Sequence, residues 1–167
     1  MKTTTSQVET IGDCYVATTG LPEPRSDHAE AMMYFAVKAR VKMIEVVEGL
    51  VDRLGPDTRD LSMRFGIHSG PVTAGVLRGE KSRFQLFGDS VNTASRIETT
   101  GEGNKIHLSE QTAKLLIKGG KSHWVVARDT LVAAKGKGQL QTYWLLIEEV
   151  ENDATFFNFS TQRNLNA

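Results

Sequence analysis

The chain has 167 residues, zero formal net charge, an apolar fraction of 40% and one cysteine. That length can bury a core as a single domain. The charge balance argues against a strongly basic nucleic-acid surface, the lone Cys14 rules out an internal disulfide framework, and no apolar run has the length of a bilayer span or the form of a secretory leader. The expected setting is cytoplasmic, with no membrane contact by this stretch, and a membrane-anchored parent chain stays open.

Residues 1–6 read as a disordered start. Residues 8–11 and 14–18 are rich in β-branched and aromatic side chains and flank Gly12-Asp13, a two-residue hairpin signal. A hairpin tip leaves the Asp13 carboxylate accessible to a hard cation. Residues 21–25 form a proline-broken loop. Asp27 has the position of an N-cap, with Glu30 as its capping-box partner. Met32, Phe35, Ala36, Ala39, Met43, Val47, Leu50 and Leu54 then recur at helical spacing up to the Gly55-Pro56 stop. His28, in the first turn, is a structural residue.

Residues 61–68 alternate as a strand does, with Leu61, Met63, Phe65 and Ile67 on one face and Arg64 on the other. Residues 72–77 and 83–87 are further short strands around a charged loop. Asp89 or Ser90 can cap a helix that stops near Gly101. Val91, Ala94 and Ile97 fall on one side of it, and Asn92 and Arg96 project together from the other. A guanidinium offers a permanent charge and a planar donor fork suited to phosphate. The amide adds a neutral donor and acceptor. Residues 105–108 form a strand, and Ser109 caps a short helix. Residues 124–127 are strand-like, and residues 131–134 lead into a loop. The loop Lys135-Gly136-Lys137-Gly138 exposes backbone amides beside two ammonium groups, which suits polyphosphate. Residues 140–147 close the sheet. From Glu148 the composition turns acidic and polar, and residues 148–167 read as a tail or linker in which Phe156, Phe157 and Phe159 could dock on the body or on a partner.

The string over residues 87–101, FGDSVNTASRIETTG, resembles the signature helix of the class III nucleotide cyclases, the adenylate and guanylate cyclases. Three more stretches are similar to that family: VETIGDCYVATTGLPEP from Val8, MRFGIHSGPVTAGVL from Met63 and AAKGKGQLQTYWL from Ala133. The resemblance covers roughly residues 7–147. The resemblance implies an α+β, ferredoxin-like (βαβ-type) cyclase domain, with helices packed on a mixed, mostly antiparallel sheet. It also implies roles. Arg96 stabilises charge on the α-phosphate and Asn92 orients the ribose. Arg64 and Lys135, with Lys137 the lesser choice, hold the phosphates. Asp13 is one of two carboxylates that bind a pair of Mg2+ or Mn2+ ions. The implied partners are GTP or ATP and a second cyclase domain in a head-to-tail homodimer or heterodimer. One subunit gives Asp13 and the other Asn92, Arg96 and Lys135.

By resemblance, the positions of Glu9 and Gln85 read the purine. An ionised carboxylate accepts hydrogen bonds, which suits the N1–H and amine of guanine, and the Gln85 amide can donate to O6. Glutamine departs from both the guanylate and adenylate patterns of the family, so GTP is favoured and ATP stays open. The family's first strand, with the other metal aspartate, has no counterpart before Val8. It lies centrally in the sheet, so its neighbours are expected to show unpaired edges, and this stretch alone is expected to have little or no activity. A noncatalytic subunit that pairs with a complete cyclase is the alternative.

Overall fold

The computed structural model describes residues 5–77, 83–134 and 138–153, with the backbone only at residues 5–9, 11, 77, 83, 84 and 134. β1 (Thr5–Ile11) and β2 (Cys14–Thr19) form an antiparallel hairpin. Ile11 pairs with Cys14, so Gly12 and Asp13 are its whole turn, and Gly12 takes the left-handed φ of 61° that such a turn requires. Thr5 and Ser6 pair with Thr19 and Thr18. They belong to the hairpin rather than to the disordered start expected from their polarity.

α1 (His28–Leu54) spans 27 residues and ends where expected, at Gly55. Its capping box does not form. Asp27 instead accepts two hydrogen bonds from Arg25 at 2.6 Å, and Glu30 accepts one from Tyr34 Oη at 2.7 Å. A guanidinium two residues upstream is a stronger partner for a carboxylate than a neutral backbone N–H. The buried stripe matches the expected one only in part. Ala36 and Val47 are buried as expected, Met33, Tyr34 and Val37 are buried beside them, and Leu54 is exposed. The amino-terminal part of α1 packs on several neighbours at once, so more than one of its faces is covered.

After a 3-10 turn at Pro56–Asp60, β3 (Phe65–Ile67) is only three residues long. The expected strand over residues 61–68 shrinks to this piece, and Leu61 and Met63 are exposed. β4 (Thr73–Leu77) and β5 (Arg83–Phe87) pair with each other. α2 (Asp89–Thr99), β6 (Ile106–Ser109) and α3 (Glu110–Lys118) follow. Ser109 caps α3 as expected, its Oγ accepting from the Thr112 N–H. β7 (Val125–Ala127), the pair β8 (Val132–Ala134) and β9 (Gly138–Leu140), β10 (Thr142–Leu145) and α4 (Ile147–Glu151) complete the described chain.

The main sheet has the order β3-β6-β10-β7. β3 and β6 are parallel, and the other two pairs are antiparallel. Its core joins Met33 and Val37 of α1 to Ile106, Leu108, Trp124, Leu145 and Val150. The structure is α+β with a mixed sheet. Among the described residues, β2 pairs only with β1 and β3 only with β6, so the hairpin and the main sheet share no ladder. The hairpin is held instead by packing on α1 and against β5. At the other end, Val150 is fully buried, and Asp153 accepts a hydrogen bond from Lys121 at 2.6 Å. Residues 148–153 therefore pack on the body, where composition placed them in a tail. An acidic run can read as solvated while one apolar residue, Val150, turns inward. Phe156, Phe157 and Phe159 lie outside the described residues. Among the described residues no helix is long and apolar enough to cross a membrane.

Candidate active site

α2 starts at Gly88 without a side-chain cap. The hydroxyl of Ser90, an expected capping residue, donates to the Pro71 carbonyl at 2.7 Å instead and ties the first turn to the segment before β4. Ser90, Thr93 and Ile97 are buried, and Val91 and Ala94 are half-buried. The face opposite carries Asn92, which is exposed, and Arg96, which is half-buried. Neither side chain makes a hydrogen bond or ion pair among the described residues. Amide and guanidinium are thus presented together and uncommitted.

The other end of α2 is anchored from three directions. Thr100 caps it, its N–H and Oγ1 both donating to the Arg96 carbonyl. His107 Nδ1–H donates to the Ile97 carbonyl at 2.6 Å from the middle of β6. Arg128 Nη1 donates to the Thr100 carbonyl at 2.7 Å, placing a cation at the negative end of the helix dipole. His107 and Arg128 both lie against the Trp144 ring, at 4.6 and 5.1 Å. Burial holds the His107 pKa below its ordinary value; the Ile97 carbonyl and Glu102 oppose this and Arg128 adds to it. Burial thus favours the neutral imidazole, with its proton on Nδ1 facing the Ile97 carbonyl.

α2 also lies directly on β3. A Cβ at Gly66 would overlap the backbone of Glu98, so glycine is what lets helix and strand approach. Arg64, the residue two before Gly66, reaches the same point from the other side. Its Nε donates to Glu98 Oε1 at 2.7 Å. The guanidinium pKa is raised, first by that hydrogen bond, then by the Glu98 charge and less by Asp13. Arg64 therefore stands within electrostatic reach of the hairpin tip.

Asp13 is exposed at that tip. Among the described residues no group of three or more His, Cys, Asp or Glu side chains could hold a metal. One accessible carboxylate fits an Mg2+ ion that takes its remaining oxygens from phosphates and water. Gln85 is half-buried on β5 opposite Gly75, and Glu9 stands on β1 opposite Val16, with its side chain outside the described residues. β1 and β5 approach each other, which brings the two positions expected to read the base to neighbouring strands. Lys135 and Lys137 lie outside the described residues. Sequence reasoning passed over Glu98, Gly66, His107 and Arg128, whose roles depend on partners distant in the chain.

Residues 1–147 match the family described as the adenylate and guanylate cyclase catalytic domain. The chain belongs to that family. This cyclase domain is 44% identical over 140 residues to guanylate cyclase 32E of Drosophila melanogaster, covering 83% of the chain and 11% of the relative. It is 40% identical to the soluble guanylate cyclase subunit beta-2 of Rattus norvegicus, covering 84% of the chain and 19% of that subunit. The chain thus spans a tenth to a fifth of these relatives. A guanylate cyclase domain from Catenaria anguillulae, solved in complex with GTP, superposes with a TM-score of 0.67 at 38% identity, covering 84% of this chain and 71% of that one. The adenylyl cyclase CyaB from P. aeruginosa, at 23% identity and a TM-score of 0.71 over 85% of this chain and 71% of that one, shares the fold.

Proposed function

We propose that this domain converts a purine nucleoside triphosphate, GTP ahead of ATP, to the 3′,5′-cyclic monophosphate and pyrophosphate. It does so in cytoplasmic signalling, at a site shared between two cyclase domains. The ribose 3′-oxygen attacks the α-phosphorus and loses its proton to solvent, while the bond from that phosphorus to the bridging oxygen breaks and pyrophosphate leaves. Arg96 meets the charge growing on the α-phosphate, an interaction stronger in the transition state than in the ground state. Asn92 holds the ribose in line. Arg64, with Lys135 and then Lys137, binds the departing phosphates. Glu9 and Gln85 read the base. Asp13 would hold a divalent ion, Mg2+ or Mn2+, which when bound lowers the pKa of the attacking hydroxyl and neutralises phosphate oxygens.

What supports the shared site is the uncommitted Asn92–Arg96 pair on the outer face of α2, combined with a single carboxylate at a separate hairpin tip. The test is a cyclase assay in Mn2+ with GTP and ATP, on this chain alone and on the chain extended by the family's amino-terminal strand and helices. The expected result is little product from the chain alone and cyclic GMP from the extended protein. Arg96→Ala should lower that rate about 10²–10³-fold, the usual loss for one charge-stabilising donor, with unchanged melting. Preference for ATP would overturn the reading of Glu9. An inactive extended protein that still pairs with a complete cyclase would replace the enzyme with a partner subunit.

A further inference from the structure

We propose that Glu98 is a positioning residue that presents Arg64 to the triphosphate. This rests on the reading of Arg64 as a phosphate ligand. The guanidinium has five N–H donors in a fixed plane. Glu98 takes the one on Nε, at 2.7 Å. Among the described residues, neither terminal nitrogen of Arg64 has a hydrogen bond, so the edge that grips a phosphate by two parallel bonds stays open. A long, half-exposed side chain otherwise samples many rotamers, and fixing one of them before the ligand arrives removes that cost from binding.

The carboxylate is well placed to do this because its own backbone is fixed. Glu98 sits where α2 presses on Gly66 of β3, with no room for a Cβ between them. Its side chain is the more buried of the pair, at 26% exposure against 51% for Arg64. The ordered group therefore steers the exposed one. An ion pair this exposed adds little to folding, so its effect should appear in ligand binding rather than in melting.

The experiment titrates the 15N-labelled chain with magnesium tripolyphosphate and follows the Arg64 Nε–H resonance and the dissociation constant. The wild type should show a slowly exchanging Nε–H that persists when ligand binds. Glu98→Ala should weaken binding about tenfold, as for a lost hydrogen bond to a charged group, with unchanged melting. Glu98→Gln should recover part of that loss. The double variant with Arg64→Ala should bind no more weakly than Arg64→Ala alone. Tighter binding by Glu98→Ala would mean that Glu98 competes with phosphate, and would overturn the inference. Binding that Arg64→Ala weakens and Glu98→Ala does not would overturn it and leave the phosphate role standing. Binding insensitive to Arg64→Ala would remove both.

Discussion

The two elements that carry the charged groups of the site are secured in unlike ways. α2 lies on β3 without a side chain between them, donates from Ser90 at its first turn, and receives hydrogen bonds from His107 and Arg128 at its last. The β1–β2 hairpin has its own ladder and its packing on α1 and against β5, and among the described residues it shares no hydrogen-bonded pair with the main sheet. A two-stranded ribbon is marginal without such support. Asn92 and Arg96 are therefore held by the body of the domain, whereas the placement of Asp13 rests on a thinner set of contacts. For a site shared between subunits, this makes the helix the fixed half and the hairpin tip the adjustable half.

The contrast is broken most strongly at Gly66. Gly66→Ala puts a methyl group into the Glu98 backbone, and α2 has to move off the sheet. Overpacking of this kind costs about 1–3 kcal/mol. Denaturant unfolding should show a midpoint lowered to match, and the Arg64 Nε–H signal should shift as its partner is displaced. A midpoint unchanged by this substitution would mean that the helix is not wedged, and its difference from the hairpin would disappear.

A smaller effect is confined to acid. The folded chain binds a proton at His107 less readily than the unfolded chain does, because burial depresses its pKa from 6.5. The unfolded state then holds more protons as pH falls below about 6.5, and stability, complete above that value, declines. Asp27 and Glu102, both lowered by hydrogen bonds from basic neighbours, respond only nearer their ordinary values of 3.8 and 4.5. Unfolding midpoints measured from pH 7 to 5 should fall in the wild type and stay level in His107→Gln. A fall that persists in the variant would assign the acid response to another group.

The parts of this arrangement that a reader of the sequence can see are those whose cause is local. Gly12-Asp13 between two β-branched runs gives the hairpin. The Ser109 cap and the helical spacing of Asn92 with Arg96 likewise need only neighbouring residues. His107 was hidden by its strand. Ile106, His107, Leu108 and Ser109 are all buried, so β6 has covered faces on both sides and no polar alternation to mark them. Arg64 and Glu98 are 34 residues apart, and only the close approach of β3 and α2 makes them partners. The expected cap at Asp27 failed for the opposite reason. Its signal was local and correct in form, but Arg25 offered the same carboxylate a charged donor.

The smallest effect on folding is expected at the hairpin tip itself. Asp13 occupies an exposed turn position, and no hydrogen bond or ion pair of its side chain is found among the described residues. Asp13→Ala should change the unfolding free energy by no more than about 0.5 kcal/mol, the range of ordinary surface substitutions. In the proposed shared site it should, however, remove the Mn2+ dependence of nucleotide binding, because that reading gives the cation to this carboxylate. Backbone exchange adds the sharper comparison. Amides of β2 should open through local fluctuations that denaturant barely affects, while those of β6 should exchange only through global unfolding. Equal protection of the two strands would show that the packing of the hairpin on α1 binds it to the body as firmly as α2 is bound, and the adjustable half of the site would then have to be sought elsewhere.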